Sequence, residues 1–132
     1  MAEKYKILLI EDEPDLAELF GGSLAQAGFS VKTLVDGSNA LETIKTIKPD
    51  LVLLDLIIPK KDGYDVLYEV KGDQTAKHTL IYVFSNLTQK AEIDRAMKLG
   101  AKDFLIKSDY TPSKLVAKVN QIFCLKEKKD NC

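Results

Sequence analysis

Four consecutive apolar residues, Leu51-Val52-Leu53-Leu54, stand between Pro49-Asp50 and Asp55. A short apolar run that does not alternate with polar residues is typical of a strand buried on both faces of a parallel sheet. Such a sheet needs helices on both faces, which restricts the fold to the α/β class. Asp55 would then lie at the carboxyl edge of the sheet, where open α/β sheets bind their ligands. An aspartate after a strand is also common as the cap of a turn, so Asp55 alone identifies no site.

The rest of the chain alternates between strand and helix patterns. Strands are predicted at residues 5–10, 29–35, 51–54, 80–84 and 101–106. Apolar residues at helical spacing follow each strand, as in the first helix, which Pro14 opens and Gly28 closes. The predicted inward stripes include Leu19 in the first helix and Ala96 and Met97 in the fourth. Five strands that alternate with five helices predict a doubly wound parallel sheet with right-handed crossovers.

One domain is predicted, at residues 1–125, followed by a charged tail at residues 126–132. A chain of 132 residues is long enough to bury about two thirds of its unfolded surface in a single core. No apolar run reaches the roughly 18 residues that a membrane span needs, and the N-terminus lacks a signal-peptide pattern. Cys124 and Cys132 have no metal-ligand spacing, which predicts reduced thiols. The expected location is therefore the cytoplasm, without a membrane partner.

The charge distribution bears on the class of partner. The net charge is −1, from 19 Lys and Arg residues and 20 Asp and Glu residues. The excess of lysine lies in the second half of the chain and is dispersed, which is a weak electrostatic footprint for nucleic-acid binding. No nucleic-acid partner is expected, whereas a basic face for an acidic protein partner is compatible with this distribution.

Polar residues stand where four of the predicted strands end. They are Glu11 and Asp12 after the first strand, Asp55 after the third, Ser85 after the fourth and Lys107 after the fifth. Because parallel strands end at one edge of their sheet, these side chains should meet there. Three carboxylates held close together need a cation, and a few hard oxygen ligands suit Mg²⁺. Asp55 would then be able to act as a nucleophile toward phosphorus, with a hydroxyl and an ammonium on the phosphoryl oxygens.

In these residues the chain resembles the receiver domains of two-component response regulators, especially the stand-alone kind typified by the chemotaxis receiver. The resemblance covers residues 5–124. It rests on Glu11-Asp12, on Asp55 with Pro59 and Asp62-Gly63 behind it, on Ser85 and on Lys107. It implies a flavodoxin-like fold with strand order 2-1-3-4-5, the order for which the chemotaxis receiver is a standard example.

The resemblance implies a phosphoryl-transfer site that works with Mg²⁺. Asp55 is implied as the phosphoacceptor and Asp12 as a direct ligand of the metal. Glu11 is implied to hold the metal's water shell, and Ile57 to give a backbone carbonyl. The implied phosphodonor is a sensor histidine kinase or a histidine phosphotransfer protein.

The resemblance also implies a conformational switch. Lys107 is similar to the family's cation at the site, and Ser85 is similar to the hydroxyl that moves to the phosphoryl group. Phe104 stands where the family has an aromatic side chain that turns inward on activation. The implied output face consists of the fourth helix, the fifth strand and the fifth helix, and it would bind a downstream protein target. Such a switch is not an enzyme beyond catalysing its own phosphorylation and dephosphorylation.

Three positions depart from the family pattern: Ile58, where methionine is frequent, and two positions that follow site residues. Ser108 follows Lys107 where the family usually has proline joined by a cis bond, and a cis bond before serine would cost about 3 kcal/mol. Asn86 follows Ser85 where a smaller residue is common, which predicts a narrower access to Asp55.

Other functional classes fit the sequence less well. A Mg²⁺-dependent phosphatase with an aspartyl nucleophile needs a proton-transferring group nearby, and Leu56 and Ile57 cannot transfer protons. A flavin-binding module needs a hydroxyl- or glycine-rich phosphate loop where this chain has Glu11-Asp12-Glu13-Pro14. A receiver-like interaction module that phosphorylation does not regulate remains an open alternative.

Overall fold

The computed structural model describes residues 4–126, in which five strands alternate with five α-helices. The elements are β1 (Lys6–Ile10), α1 (Pro14–Gln26), β2 (Ser30–Leu34), α2 (Ala40–Ile47), β3 (Leu51–Leu54), α3 (Gly63–Gly72), β4 (Ile81–Ser85), α4 (Lys90–Lys98), β5 (Asp103–Ile106) and α5 (Pro112–Lys126). A single 3₁₀ turn, Lys107–Asp109, follows β5. This succession of elements is the one that the sequence predicts.

The five strands form one parallel sheet in the order β2-β1-β3-β4-β5. This arrangement confirms the predicted doubly wound fold. Within the sheet, β1 pairs Ile10 with Leu54 of β3, and β4 pairs Ser85 with Ile106 of β5. Because these strands end in register, the residues that follow them lie side by side at one edge.

The core lies on both faces of the sheet. Residues 7–10, 51–54 and 81–85 are buried, as expected for central parallel strands covered by helices. One face packs against buried residues of α1 and α5, and the other packs against buried residues of α2, α3 and α4. β2 stands at the edge and is mostly exposed or half-buried. The sheet therefore forms a rigid support for the loops at its carboxyl edge.

Two apolar side chains that were predicted to face the core lie on the surface. Leu19 in α1 is 50% exposed and Met97 in α4 is 39% exposed. Each stands beside a buried residue, Phe20 and Ala96 respectively, and neighbouring helical residues are rotated from each other by about 100°. The prediction was wrong because the spacing of apolar residues does not show how much of the helix surface is buried by neighbouring elements.

The state of Cys124 also differs from the prediction. Cys124 is disulfide-bonded, so the expectation of a reduced thiol at this position is wrong. The spacing of cysteines argued against a metal site but carried no information on their oxidation state. Cys132 and the predicted tail from residue 127 onward lie outside the described residues, and the domain division at residue 125 stays a prediction.

Across residues 4–126, no helix has the length and apolar character that crossing a membrane requires.

Candidate functional site

Four polar side chains are buried together at the carboxyl edge of the sheet: Glu11, Asp55, Ser85 and Lys107. They directly follow β1 and β3, end β4 and follow β5. Within the described part of the chain, no other charged side chain is buried. Burying a charge is costly unless it is paired and hydrogen-bonded, so this cluster requires a compensating set of contacts.

The carboxylate of Asp55 has a partner on each of its oxygens. The hydroxyl of Ser85 donates to Oδ1 at 2.9 Å, and the backbone N–H of Ile57 donates to the same oxygen at 3.1 Å. The ammonium of Lys107 donates to Oδ2 at 2.6 Å. Asp55 is therefore held between a hydroxyl from the adjacent strand β4 and a cation from the turn after β5.

Lys107 links Asp55 to Glu11. Its Nζ forms an ion pair with both carboxylates, and the other oxygen of Glu11 accepts a hydrogen bond from the backbone N–H of Glu13 at 3.1 Å. Burial acts to lower the pKa of Lys107, but the hydrogen bonds and charges of Asp55 and Glu11 outweigh it and raise the pKa above its usual value. Lys107 is therefore a fixed positive charge at neutral pH.

Three carboxylates form a group that fits a metal ion. Glu11, Asp12 and Asp55 each offer an oxygen, and these atoms lie within 4.8 Å of one another. Asp12 is the exposed member and would face an incoming ion. Three carboxylates and the ammonium of Lys107 leave two formal negative charges, which a divalent cation balances. Hard oxygen donors of this kind suit Mg²⁺, which keeps part of its water shell.

The loop behind Asp55 is held by a close backbone approach. A side chain on Gly63 would place its Cβ 2.6 Å from Cα of Leu56 and 2.7 Å from the carbonyl oxygen of Asp55, so glycine is required there. Asp62 caps α3 through its side chain. The Asp62-Gly63 pair thus fixes the start of α3 against the site. The side chain of Ile57 is 62% exposed at the rim, and the proposed role of its carbonyl stays a prediction.

Phe104 lies on β5, which β4 separates from the strand that precedes Asp55. It is half-buried and packs, like Leu87, against the core cluster under α2, α3 and α4. The structure thus brings together Glu11, Asp12, Asp55, Ser85 and Lys107 and leaves Phe104 apart from them.

One contact at the site was not predicted. The backbone N–H of Ser108 donates to Oδ1 of Asn86 at 2.8 Å. The sequence marked both residues as departures from the family pattern but gave no sign that they touch. The peptide bonds of the described residues include no cis bond, so Lys107 and Ser108 are joined in trans.

Comparison with known proteins agrees with this geometry. The sequence model of the response regulator receiver domain matches residues 7–120. The DNA-binding response regulator MtrA of Mycolicibacterium smegmatis is 34% identical over 116 residues, which cover 88% of this chain and 49% of MtrA. The chain therefore spans about half the length of this curated relative.

Solved structures give the same result. The phosphorylated cyanobacterial phytochrome response regulator RcpA is 30% identical, with a TM-score of 0.78 and coverage of 98% of both chains. The BeF3-activated N-terminal receiver domain of RstA from Klebsiella pneumoniae is 29% identical, also with a TM-score of 0.78, over 88% of this chain and 96% of that one.

The relatives also bear on the expected partners. MtrA is named as a DNA-binding protein, so the expectation that no nucleic acid is a partner has no support. The stand-alone arrangement stays a prediction for the same reason. The family match extends from β1 into α5, and the sheet order and the pairing of Asp55 with Ser85 and Lys107 agree with it. The chain belongs to the family of response regulator receiver domains.

Proposed function

We propose that Asp55 accepts a phosphoryl group and that the chain works as a phosphorylation-dependent switch in two-component signalling. The observation that carries this proposal is the carboxylate of Asp55, with the Ser85 hydroxyl on one oxygen and the Lys107 ammonium on the other. The donor would be a phosphohistidine of a sensor histidine kinase or of a histidine phosphotransfer protein, in the cytoplasm. Loss of phosphorylation in Asp55→Asn tests this assignment.

In the transfer step, an oxygen of Asp55 attacks the phosphorus of the donor. The new P–O bond forms as the P–N bond to the histidine breaks, and the imidazole nitrogen leaves with the electron pair. The product is an aspartyl phosphate, and the imidazole nitrogen that leaves takes up a proton from solvent. Ser85 and Lys107 already contact the carboxylate, so they are placed to donate to the phosphoryl oxygens as negative charge builds there.

The metal part of the proposal rests on the acidic group. Glu11, Asp12, Asp55 and the backbone carbonyl of Ile57 would hold Mg²⁺, which would supply neutralisation of charge on the phosphoryl oxygens. Glu11 and Asp55 also hold Lys107, whereas Asp12 has no hydrogen bond or ion pair among residues 4–126. Asp12 is thus the carboxylate most free to turn toward an ion.

Mg²⁺ is expected to raise the melting temperature of the protein, and Asp12→Ala is expected to remove most of this rise. An ion that binds only the folded state stabilises it by about 2.7 kcal/mol at 100 times its Kd. Thermal unfolding at increasing Mg²⁺ concentration measures the effect. Asp15→Ala is the matched control, because Asp15 is also exposed in this acidic segment but lies outside the group of three. Equal Mg²⁺ responses of Asp12→Ala and wild type would contradict the metal assignment.

The switch part of the proposal concerns the loop after β4. Ser85 ends β4 and contacts Asp55, so it would follow an oxygen of the added phosphoryl group. Leu87, two residues further on, and Phe104 on β5 pack against the same core cluster. A shift of this loop would therefore open space into which Phe104 turns, reshaping the face of α4, β5 and α5 for a downstream protein target.

Ser85→Ala is expected to abolish the phosphorylation-dependent changes in amide hydrogen exchange over residues 86–123. Without the hydroxyl, nothing on β4 follows the phosphoryl group, so the loop and Phe104 stay where they are. Exchange is compared with and without phosphorylation at equal phosphoryl occupancy, by mass spectrometry. Ser30→Ala, an exposed serine in edge strand β2, is the control. The coupling is refuted if Ser85→Ala shows the same exchange changes as wild type.

A further inference from the structure

The bond between Asn86 and Ser108 lies just beyond the ends of β4 and β5. The ladder between these strands ends at the pair Ser85 and Ile106. The next residues leave the sheet, and Lys107 begins the 3₁₀ turn. Oδ1 of Asn86 then accepts the backbone N–H of Ser108 at 2.8 Å, so a side chain supplies one more link between the two strand ends.

This link closes a ring of contacts around the phosphoacceptor. Asp55 contacts Ser85 through Oδ1 and Lys107 through Oδ2. Ser85 is followed in the chain by Asn86, and Lys107 is followed by Ser108. Because Asn86 and Ser108 are hydrogen-bonded to each other, Ser85 and Lys107 are also linked through the residues that follow them in the chain.

The chemistry of residue 108 explains why such a link is available. The family's usual proline has no N–H and a fixed φ, so it would both hold the backbone and leave nothing to donate. Serine leaves φ free and adds an N–H that can donate to an acceptor nearby. Asn86, which is larger than the residue common at this position in the family, supplies this acceptor.

We propose that Asn86 is a positioning residue for Lys107. By holding the N–H of Ser108, it fixes the turn from which the Lys107 side chain extends to Asp55. A lysine side chain has large rotational freedom, and a fixed backbone reduces the entropy lost when the ammonium is held at the site. Asn86 acts through Lys107 and is not among the hydrogen-bond partners of the Asp55 carboxylate, which are Ile57, Ser85 and Lys107. The inference rests on the proposed function of Asp55 and assigns a role that this function leaves unexplained.

Substitutions of Asn86 separate the hydrogen bond from the size of the side chain. Asn86→Leu keeps the branched skeleton of the side chain and removes the acceptor, whereas Asn86→Asp keeps an acceptor oxygen. Gln26→Leu removes another exposed amide, at the end of α1. The first readout is hydrogen exchange of the Ser108 amide by NMR without any phosphodonor. The second is the rate of phosphorylation by acetyl phosphate with Mg²⁺.

The Ser108 amide is expected to be protected in wild type and Asn86→Asp and to lose protection in Asn86→Leu. Phosphorylation should slow roughly two- to tenfold in Asn86→Leu, the range that one net hydrogen bond supplies, and stay at the wild-type rate in Gln26→Leu. In a Lys107→Ala background, Asn86→Leu should change the rate no further, because the residue that it positions is absent. A general loss of folding would slow both backgrounds equally.

Wild-type Ser108 protection or a wild-type rate in Asn86→Leu overturns the inference. An equal effect of Asn86→Leu with and without Lys107 overturns it as well, since Asn86 would then act by another route. A folded wild-type protein that acetyl phosphate does not modify would instead refute the proposed function of Asp55. In that case the hydrogen-exchange rate of the Ser108 amide, which needs no phosphodonor, still shows whether Asn86 holds the turn at Lys107–Asp109.

Discussion

Replacing Ile57 by Asn and Leu87 by Glu is expected to shorten the lifetime of the phosphorylated state about 10²-fold. Hydrolysis of an aspartyl phosphate needs a water in line behind the phosphorus and a polar group that orients it or accepts its proton. The loss of one such group typically costs about 10²-fold in rate. The best-placed positions stand two residues after Asp55 and two after Ser85, where this chain has Ile57 and Leu87, neither of which can hydrogen-bond a water.

The structure supports this expectation. Ile57 is 62% exposed at the rim, and Leu87 is half-buried beside the end of β4. Asn86, between Ser85 and Leu87, is a polar side chain near the site that could orient the attacking water in place of residues 57 and 87. Its Oδ1 already accepts the N–H of Ser108, and a neutral amide is not a base that takes a proton from the attacking water. The phosphorylated state is therefore expected in the longer part of the family's range of lifetimes.

The decay of the phosphorylated protein, followed by intact-mass spectrometry after removal of the phosphodonor, measures this lifetime. The matched control is the apolar double variant Ile57→Val with Leu87→Met, which should decay as slowly as wild type. If wild type decays as fast as the variant carrying Ile57→Asn and Leu87→Glu, the two apolar residues do not limit hydrolysis.

The main parts of the fold and of the site could be predicted because they depend on where strands end. The apolar run before Asp55 required a central parallel strand, and parallel strands place their carboxyl ends at one edge. Glu11, Ser85 and Lys107 follow or end other predicted strands. Their meeting at Asp55 therefore follows from the topology, without knowledge of side-chain conformations.

The features that could not be predicted depend on details that a linear pattern does not contain. Asn86 and Ser108 are 22 residues apart, and their contact depends on how two loops leave the sheet. Leu19 and Met97 belong to apolar stripes, but the width of the covered strip depends on the neighbouring elements. Cys124 illustrates a third limit, because a bonded state depends on the position of a second sulfur and not on sequence spacing alone.

The assignment of Asp55 predicts an all-or-none effect. Asparagine has nearly the same shape as aspartate, but its amide is a poor nucleophile toward phosphorus, so Asp55→Asn should abolish phosphorylation. The rest of the site, including Ser85 and Lys107, is left in place. Asp65→Asn makes the same chemical change at an exposed position of α3 and should have no effect.

The most direct measurement is the intact mass of the protein after incubation with Mg²⁺ and acetyl phosphate. Wild type and Asp65→Asn are predicted to gain the mass of one phosphoryl group, and Asp55→Asn is predicted to gain nothing. A phosphoryl group on Asp55→Asn at the wild-type level would show that another residue is the acceptor. A folded wild-type protein that gains no mass would contradict the switch and favour a receiver-like interaction module that phosphorylation does not regulate.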